Sequence, residues 1–280
     1  MSRKIRIAVI DLYNGEPNQG MRCIREILEE SDGRWNNVRV EYDTFDARAE
    51  CEIPGLEYDA YISTGGPGSP FDGVGTPWER LYFNWLRRVW THNQQHAADR
   101  RHVFFICHSF QMMCRFFHLG DVVRRRSQSF GIFPVHKTLA GEREPLFQDL
   151  ADPFYAADFR HWQVVQPDHR RLRELGAEIL AYEKIRPHVD LERAVMAIRI
   201  SPEVIGVQFH PEADAEGMLL HFSDEKRRDA IIDDHGEEKY ERIIHRLKDP
   251  EYLDRTHRAV LPSFVEQVVR SRCPQPVPQA

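Results

Sequence analysis

Hydrophobic and polar positions change period repeatedly along this chain, and the changes mark out its elements. Residues 4–12 are dense in isoleucine and valine and read as a strand. Over 19–31, Met21, Ile24, Ile27 and Leu28 recur at helical spacing. Residues 38–45 and 58–63 predict a second and third strand, the third running into the loop Thr64-Gly65-Gly66-Pro67-Gly68-Ser69-Pro70. Residues 78–93 are aromatic-rich and helical in pattern. Residues 102–106 form a short apolar run, suited to a strand covered on both faces, and 109–117 read as the helix that follows. This alternation predicts an α/β fold: a parallel sheet with helices on both sides.

From 121 to 209 strands dominate. Segments 122–126, 132–137, 178–182, 195–200 and 204–209 suggest an antiparallel addition that ends in a return strand. Beyond about 214 the period becomes helical. Tyr240, Ile243, Ile244 and Leu247 share one face; Val260, Leu261, Phe264, Val265, Val268 and Val269 form a second stripe. Both read most simply as faces packed on a core. The charged run 224–242 reads as a solvated helical face. The expected division is an α/β domain over 1–222, a helical extension over 223–272 and a loose, proline-interrupted tail over 273–280.

Composition narrows the function classes. A net charge of −6 offers no global basic field for nucleic acid. No apolar run reaches membrane-spanning length. The basic start and short apolar stretch, broken by Asp11, lack the features of a signal peptide, so a cytoplasmic location is expected. The five cysteines, Cys23, Cys51, Cys107, Cys114 and Cys273, are odd in number and show no CxxC spacing. Neither a disulfide framework nor a zinc site is expected, and no cofactor or metal is implied.

Three segments carry candidate chemistry. Cys107 lies where a strand meets a helix. A tight turn there strains the backbone and pushes the side chain out. The helix N-terminus offers free N–H groups and a positive dipole end, which favour a thiolate and can hold an oxyanion. A cysteine after an apolar strand is more often just a small buried residue, as Cys114 is expected to be. His210 and Glu212 stand two apart at a strand end, so period-two geometry puts them on one face. His210 can then take a thiol proton while Glu212 holds the other ring nitrogen. In the glycine loop, Gly65 and Gly66 let the backbone turn its N–H groups toward a ligand oxygen, with Gly66 a second oxyanion donor; a plain turn is the simpler alternative.

In this order and spacing the segments resemble the class I glutamine amidotransferase family, and the amidotransferase domain of GMP synthetase in particular. The resemblance covers about residues 4–222. The family's closing motif Gly-Val-Gln-Phe-His-Pro-Glu is matched in full by 206–212, and its glycine loop by 63–68. Its nucleophile segment aligns with 105–111, and its Ser-His-x-Asp-x-Val stretch loosely with 159–164. The resemblance implies a flavodoxin-like sheet, glutamine as substrate, a thioester on Cys107, and released ammonia. His210 would be base and acid, Glu212 its orienter. Gly66 and the N–H of His108 would form the oxyanion hole, with Gly65, Gln111, Gln128, Ser129 and Phe130 near the substrate. The sequence departs from the family at Phe105 and Ser109, where glycines flank the nucleophile, and at Phe110, where a histidine is usual.

Three functions fit. One is an amidotransferase subunit that hands ammonia to a separate synthetase docked on the helical extension. A second is a stand-alone hydrolase of γ-glutamyl amides or small peptides. The third is a non-catalytic regulatory or binding relative. A homo-oligomer fits any of them.

Overall fold

A computed structural model describes residues 3–16, 18–185, 192–249 and 251–273. Residues 274–280 of the expected tail lie outside the described residues. In chain order the elements are β1 (Arg3–Asp11), α1 (Gln19–Asp32), β2 (Val38–Asp46), β3 (Ala60–Ser63), α2 (Pro77–Gln95), β4 (His102–Ile106) and α3 (His108–Phe117). There follow β5 (Asp121–Lys137), α4 (Leu139–Glu142), β6 (Phe154–Val165), α5 (His169–Leu175), β7 (Glu178–Glu183), β8 (Val195–Ser201) and β9 (Val204–Val207). The chain closes with α6 (Ala215–Ser223), α7 (Glu225–His235), α8 (Glu237–Leu247) and α9 (Asp254–Arg272).

The strands form one mixed sheet in the order β2-β1-β3-β4-β9-β8-β7-β5-β6. β2, β1, β3, β4 and β9 pair in parallel, while β9, β8, β7, β5 and β6 pair antiparallel. The expected α/β sheet with an antiparallel addition is therefore present. Alternation along the strands builds a core on each face. Ile5, Ile7 and Val9 of β1, with Phe104 and Ile106 of β4, pack on the α1 and α9 side. Ala8 and Ile10, with Val103 and Phe105, pack on the α2 and α3 side.

Helix starts follow local chemistry. Asn18 accepts a hydrogen bond from the Met21 N–H and caps α1. Thr76 caps α2, with Pro77 at the first helical position. The apolar stripe of α9 (Val260, Leu261, Phe264, Val265, Val268, Val269) is buried in the same core as α1 and β1. Ile243 and Leu247 of α8 bury in a smaller cluster with Ile132, Met218 and Phe222.

Two elements differ from the sequence pattern. Segments 122–126 and 132–137 are one strand, β5, whose register with β6 shifts between Arg124 and Ser129. The polar stretch at that irregularity hides the continuity. β6 itself was not legible as a strand, because Asp158 and Arg160 interrupt its apolar pattern. Both are buried, and Arg160 Nε donates to Asp158 Oδ1 at 2.7 Å. A paired charge can occupy a core position that a lone one cannot.

Candidate active site

The parallel strands β1, β3, β4 and β9 lie side by side, and the segments that leave their C-terminal ends meet above the sheet. This is where open α/β sheets place ligands. After β3 comes the glycine loop, tied down at Thr64. Its N–H donates to the Ile10 carbonyl at 3.0 Å, and its Oγ1 accepts from the Leu12 N–H at 2.9 Å. Arg48 donates to the carbonyls of Leu12 (3.2 Å) and Pro67 (2.8 Å), clamping loop to strand. A Cβ at Gly66 would meet the Leu12 carbonyl oxygen at 2.4 Å, and one at Gly65 would meet His210 Cε1 at 2.8 Å. Only glycine permits both approaches.

After β4 the chain turns at Cys107, which has φ +48° and ψ −97°. Such backbone is rare for a side-chain-bearing residue and is held only when its surroundings enforce it. Here the Cys107 N–H donates to the Val207 carbonyl at 2.8 Å, and its carbonyl accepts from the Gln111 N–H at 3.1 Å. Cys107 stands at the N-cap of α3 without capping it through its side chain, which leaves first-turn N–H groups uncapped.

After β9 the backbone leaves regular strand pairing. His210 is held by a single bridge, its N–H donating to the Ala157 carbonyl at 2.9 Å. His210 and Glu212 thus lie in a loop rather than on a strand, past the end of β9 at Val207, where the period-two argument no longer applies. They meet all the same: the His210 Nδ1–H donates to Glu212 Oε1 at 2.8 Å. That leaves the other ring nitrogen unengaged by Glu212, with Cys107 close enough to the imidazole to favour its charged form. Burial works to lower the His210 pKa, but the Glu212 carboxylate and Cys107 outweigh it and push it well above its ordinary value. Thiol, imidazole and carboxylate in series can pass a proton from sulfur to a leaving group and back.

Gln111 and Gln208 lie behind the sulfur. Gln208 Nε2 is 3.7 Å from Cys107 Sγ, and Gln111 Nε2 donates to Gln208 Oε1 (3.1 Å) and to the Trp162 carbonyl (3.2 Å). His108 is buried beside the turn; burial, then Arg48 and Arg115, lower its pKa to about 3, so its ring is neutral. Of the β5 segment, Ser129 Oγ donates to Asp158 Oδ2 at 2.7 Å. Phe130 stacks on His235 of α7 (4.6 Å) and meets Phe159 edge-on (5.0 Å), and Phe159 lies 6.4 Å from the His210 ring. Gln128 is half-buried beside them.

The departures are accommodated. Phe105 points into the α2 and α3 layer and packs edge-on against Trp85, on the opposite face from Cys107. The Ser109 hydroxyl accepts from the Ile106 N–H (2.8 Å) and donates to the Ser63 carbonyl (2.6 Å), bridging β4 to β3. Phe110 lies against Gly206, whose Cβ would come within 2.8 Å of its ring.

Sequence reading missed Tyr13, Gln208, Arg48 and His257. The His257 Nδ1–H, from α9, donates to the Glu212 carbonyl at 2.9 Å. Tyr13 alone had a usable signal, its place just after the first strand of a parallel sheet.

Against known proteins, a family model described as glutamine amidotransferase class-I matches residues 22–222. Comparison with curated proteins gives no match. Among solved structures, a glutamine amidotransferase of Thermotoga maritima is 16% identical with a TM-score of 0.67, over 95% of this chain and 98% of that one. A glutamine amido transferase of Methylobacillus flagellatus is 15% identical with a TM-score of 0.63, over 95% and 96%. The glutaminase domain of Trypanosoma brucei CTPS, with bound acivicin, is 14% identical with a TM-score of 0.55, over 96% and 94%. No described helix is long and apolar enough to cross a membrane.

Proposed function

Because the chain belongs to the class I glutamine amidotransferase family, we propose that it hydrolyses a glutamine side-chain amide through a thioester on Cys107. The observation that carries this reading is the series Cys107–His210–Glu212, built on a strained strand-to-helix turn. His210 takes the thiol proton, and the Cys107 sulfur attacks the amide carbonyl. The backbone N–H groups of Gly66 and His108 receive the oxyanion. As the intermediate collapses, the carbon–nitrogen bond breaks and His210 gives its proton to the departing ammonia. Water, deprotonated by His210, then cleaves the thioester to glutamate and free thiol. Glu212 fixes the ring tautomer and supports the imidazolium throughout. Gly65, Gln128, Ser129 and Phe130 border the space for the glutamyl group, and Gln111 acts from behind the sulfur through Gln208.

The released ammonia passes to a synthetase partner, in keeping with the likeness to a glutaminase domain of CTPS. The test is mass spectrometry after treatment with a glutamine-like diazoketone, together with ammonia release from glutamine. A single adduct on Cys107 and ammonia release lost in Cys107→Ala are expected. An unmodified Cys107 would overturn the reading.

A further inference from the structure

Tyr13 follows β1 and carries its phenol to the base of the imidazole–carboxylate pair. A Cβ at Gly20 would lie 2.4 Å from Tyr13 Oη and 3.1 Å from Glu212 Oε1. A Cβ at Gly65 would lie 2.8 Å from His210 Cε1 and 3.3 Å from Tyr13 Oη. Phenol, carboxylate and imidazole therefore converge on the gap that two glycines keep open. Among the described residues nothing hydrogen-bonds the Tyr13 hydroxyl, and Glu212 Oε2 is buried without a partner. Buried polar groups left unpaired are rare and call for an explanation. Here a phenol O–H without a hydrogen-bond partner shares the gap with a carboxylate one of whose oxygens lacks one.

We propose that Tyr13 is a positioning residue, turning its O–H, unpaired in the structure, onto the neighbouring Glu212 carboxylate and thereby setting the basicity of His210. The inference rests on the catalytic reading of this site given above. Burial, then the proximity of Glu212, Cys107, Asp11 and Cys23, keep the phenol protonated far above its ordinary pKa, so it is a donor at every working pH. Those groups face it from the loop after β9, the β4–α3 turn, β1 and α1, and His257 of α9 holds the Glu212 carbonyl. A neutral donor on the carboxylate draws charge away from it and weakens its hold on the imidazolium. Without that donor, His210 binds its proton more tightly.

The test reads the His210 imidazole by NMR titration in a Cys107→Ala background, with its signal assigned by loss in His210→Gln. Tyr13→Phe is expected to raise the midpoint by about half a pH unit or more. 3-Fluorotyrosine placed at position 13, a stronger donor of nearly the same shape, is expected to lower it. In the intact enzyme the acid limb of kcat moves in the same two directions, because deacylation needs neutral His210. A midpoint that neither replacement moves would leave the phenol a space-filler and overturn the proposal. Should Tyr13→Phe fail to fold, the fluorotyrosine protein decides alone, on the same criterion. A wild-type chain that releases no ammonia speaks against the proposed function instead, and leaves the titration readable.

Discussion

At the residue scale, the site depends on small groups doing two jobs. Ser109 stands where relatives carry glycine, and its hydroxyl replaces a close backbone approach with a bridge from Ile106 to Ser63. Ser109→Ala would leave a buried N–H and a buried carbonyl short of a partner. That change is expected to cost about 1–3 kcal/mol, read as a fall in the urea midpoint with an unchanged slope. An equal midpoint would show that the bridge carries no stability. Phe105 tells a related story. Its bulk is harmless because its ring enters the α2 and α3 layer, while the turn at Cys107, with φ +48°, carries the sulfur to the other core. The sequence marks it as a departure beside the nucleophile; the turn that follows keeps its ring and the sulfur on opposite faces.

At the element scale, α9 does more than extend the chain. Phe264 packs on Phe104 of β4 at 5.2 Å, the strand that delivers Cys107. Thr256 Oγ1 donates to the Tyr155 carbonyl of β6, and His257 holds the Glu212 carbonyl. The helix thus braces both the strand behind the thiol and the loop that carries the base. Phe264→Ala is expected to destabilise by about 3–5 kcal/mol, as large core truncations do. His257→Ala, with its small buried loss, is expected to lower kcat severalfold while leaving the melting temperature within a few degrees. The split between the two variants, seen by thermal melts and ammonia release, checks whether α9 serves core and site separately. An unaffected kcat in His257→Ala would limit the helix to a packing role.

At the scale of the whole molecule, burial couples stability to pH. His102 joins β4 to α9 through Ser271, its Nε2 lying 3.0 Å from Ser271 Oγ. Burial lowers its pKa to about 4, with Glu203 opposing and Arg272 and Arg199 adding to the shift. In the unfolded chain the same ring titrates near 6.5. Between those values the unfolded state binds more protons, so stability is complete above about pH 6.5 and falls as pH drops toward about 4. His108 adds to the same trend and extends it to about pH 3. Melting temperatures measured between pH 8 and 4 should fall accordingly, and His102→Gln should flatten part of the slope. A variant slope identical to the wild type would assign the acid sensitivity elsewhere.

The sequence alone determined what local spacing can encode. Period two and period 3.6 placed the parallel strands and their helices, and three short motifs put a glycine loop, a thiol and an imidazole–carboxylate pair after strands. Each of those signals is complete within about ten residues, so no distant partner was needed to read it. The tertiary structure decided what depends on groups far apart in the chain. It joined the two halves of β5 and made β6 a strand, because the burial of Asp158 and Arg160 is tolerable only once each has the other. It hung His210 and Glu212 on a loop held from Ala157, where the pattern had suggested a strand. It brought Tyr13 and Gln208, from the segments that follow β1 and β9, and His257 of α9 to the site, since hydrogen bonds and steric gaps across the sheet leave no trace in the order of residues along one strand.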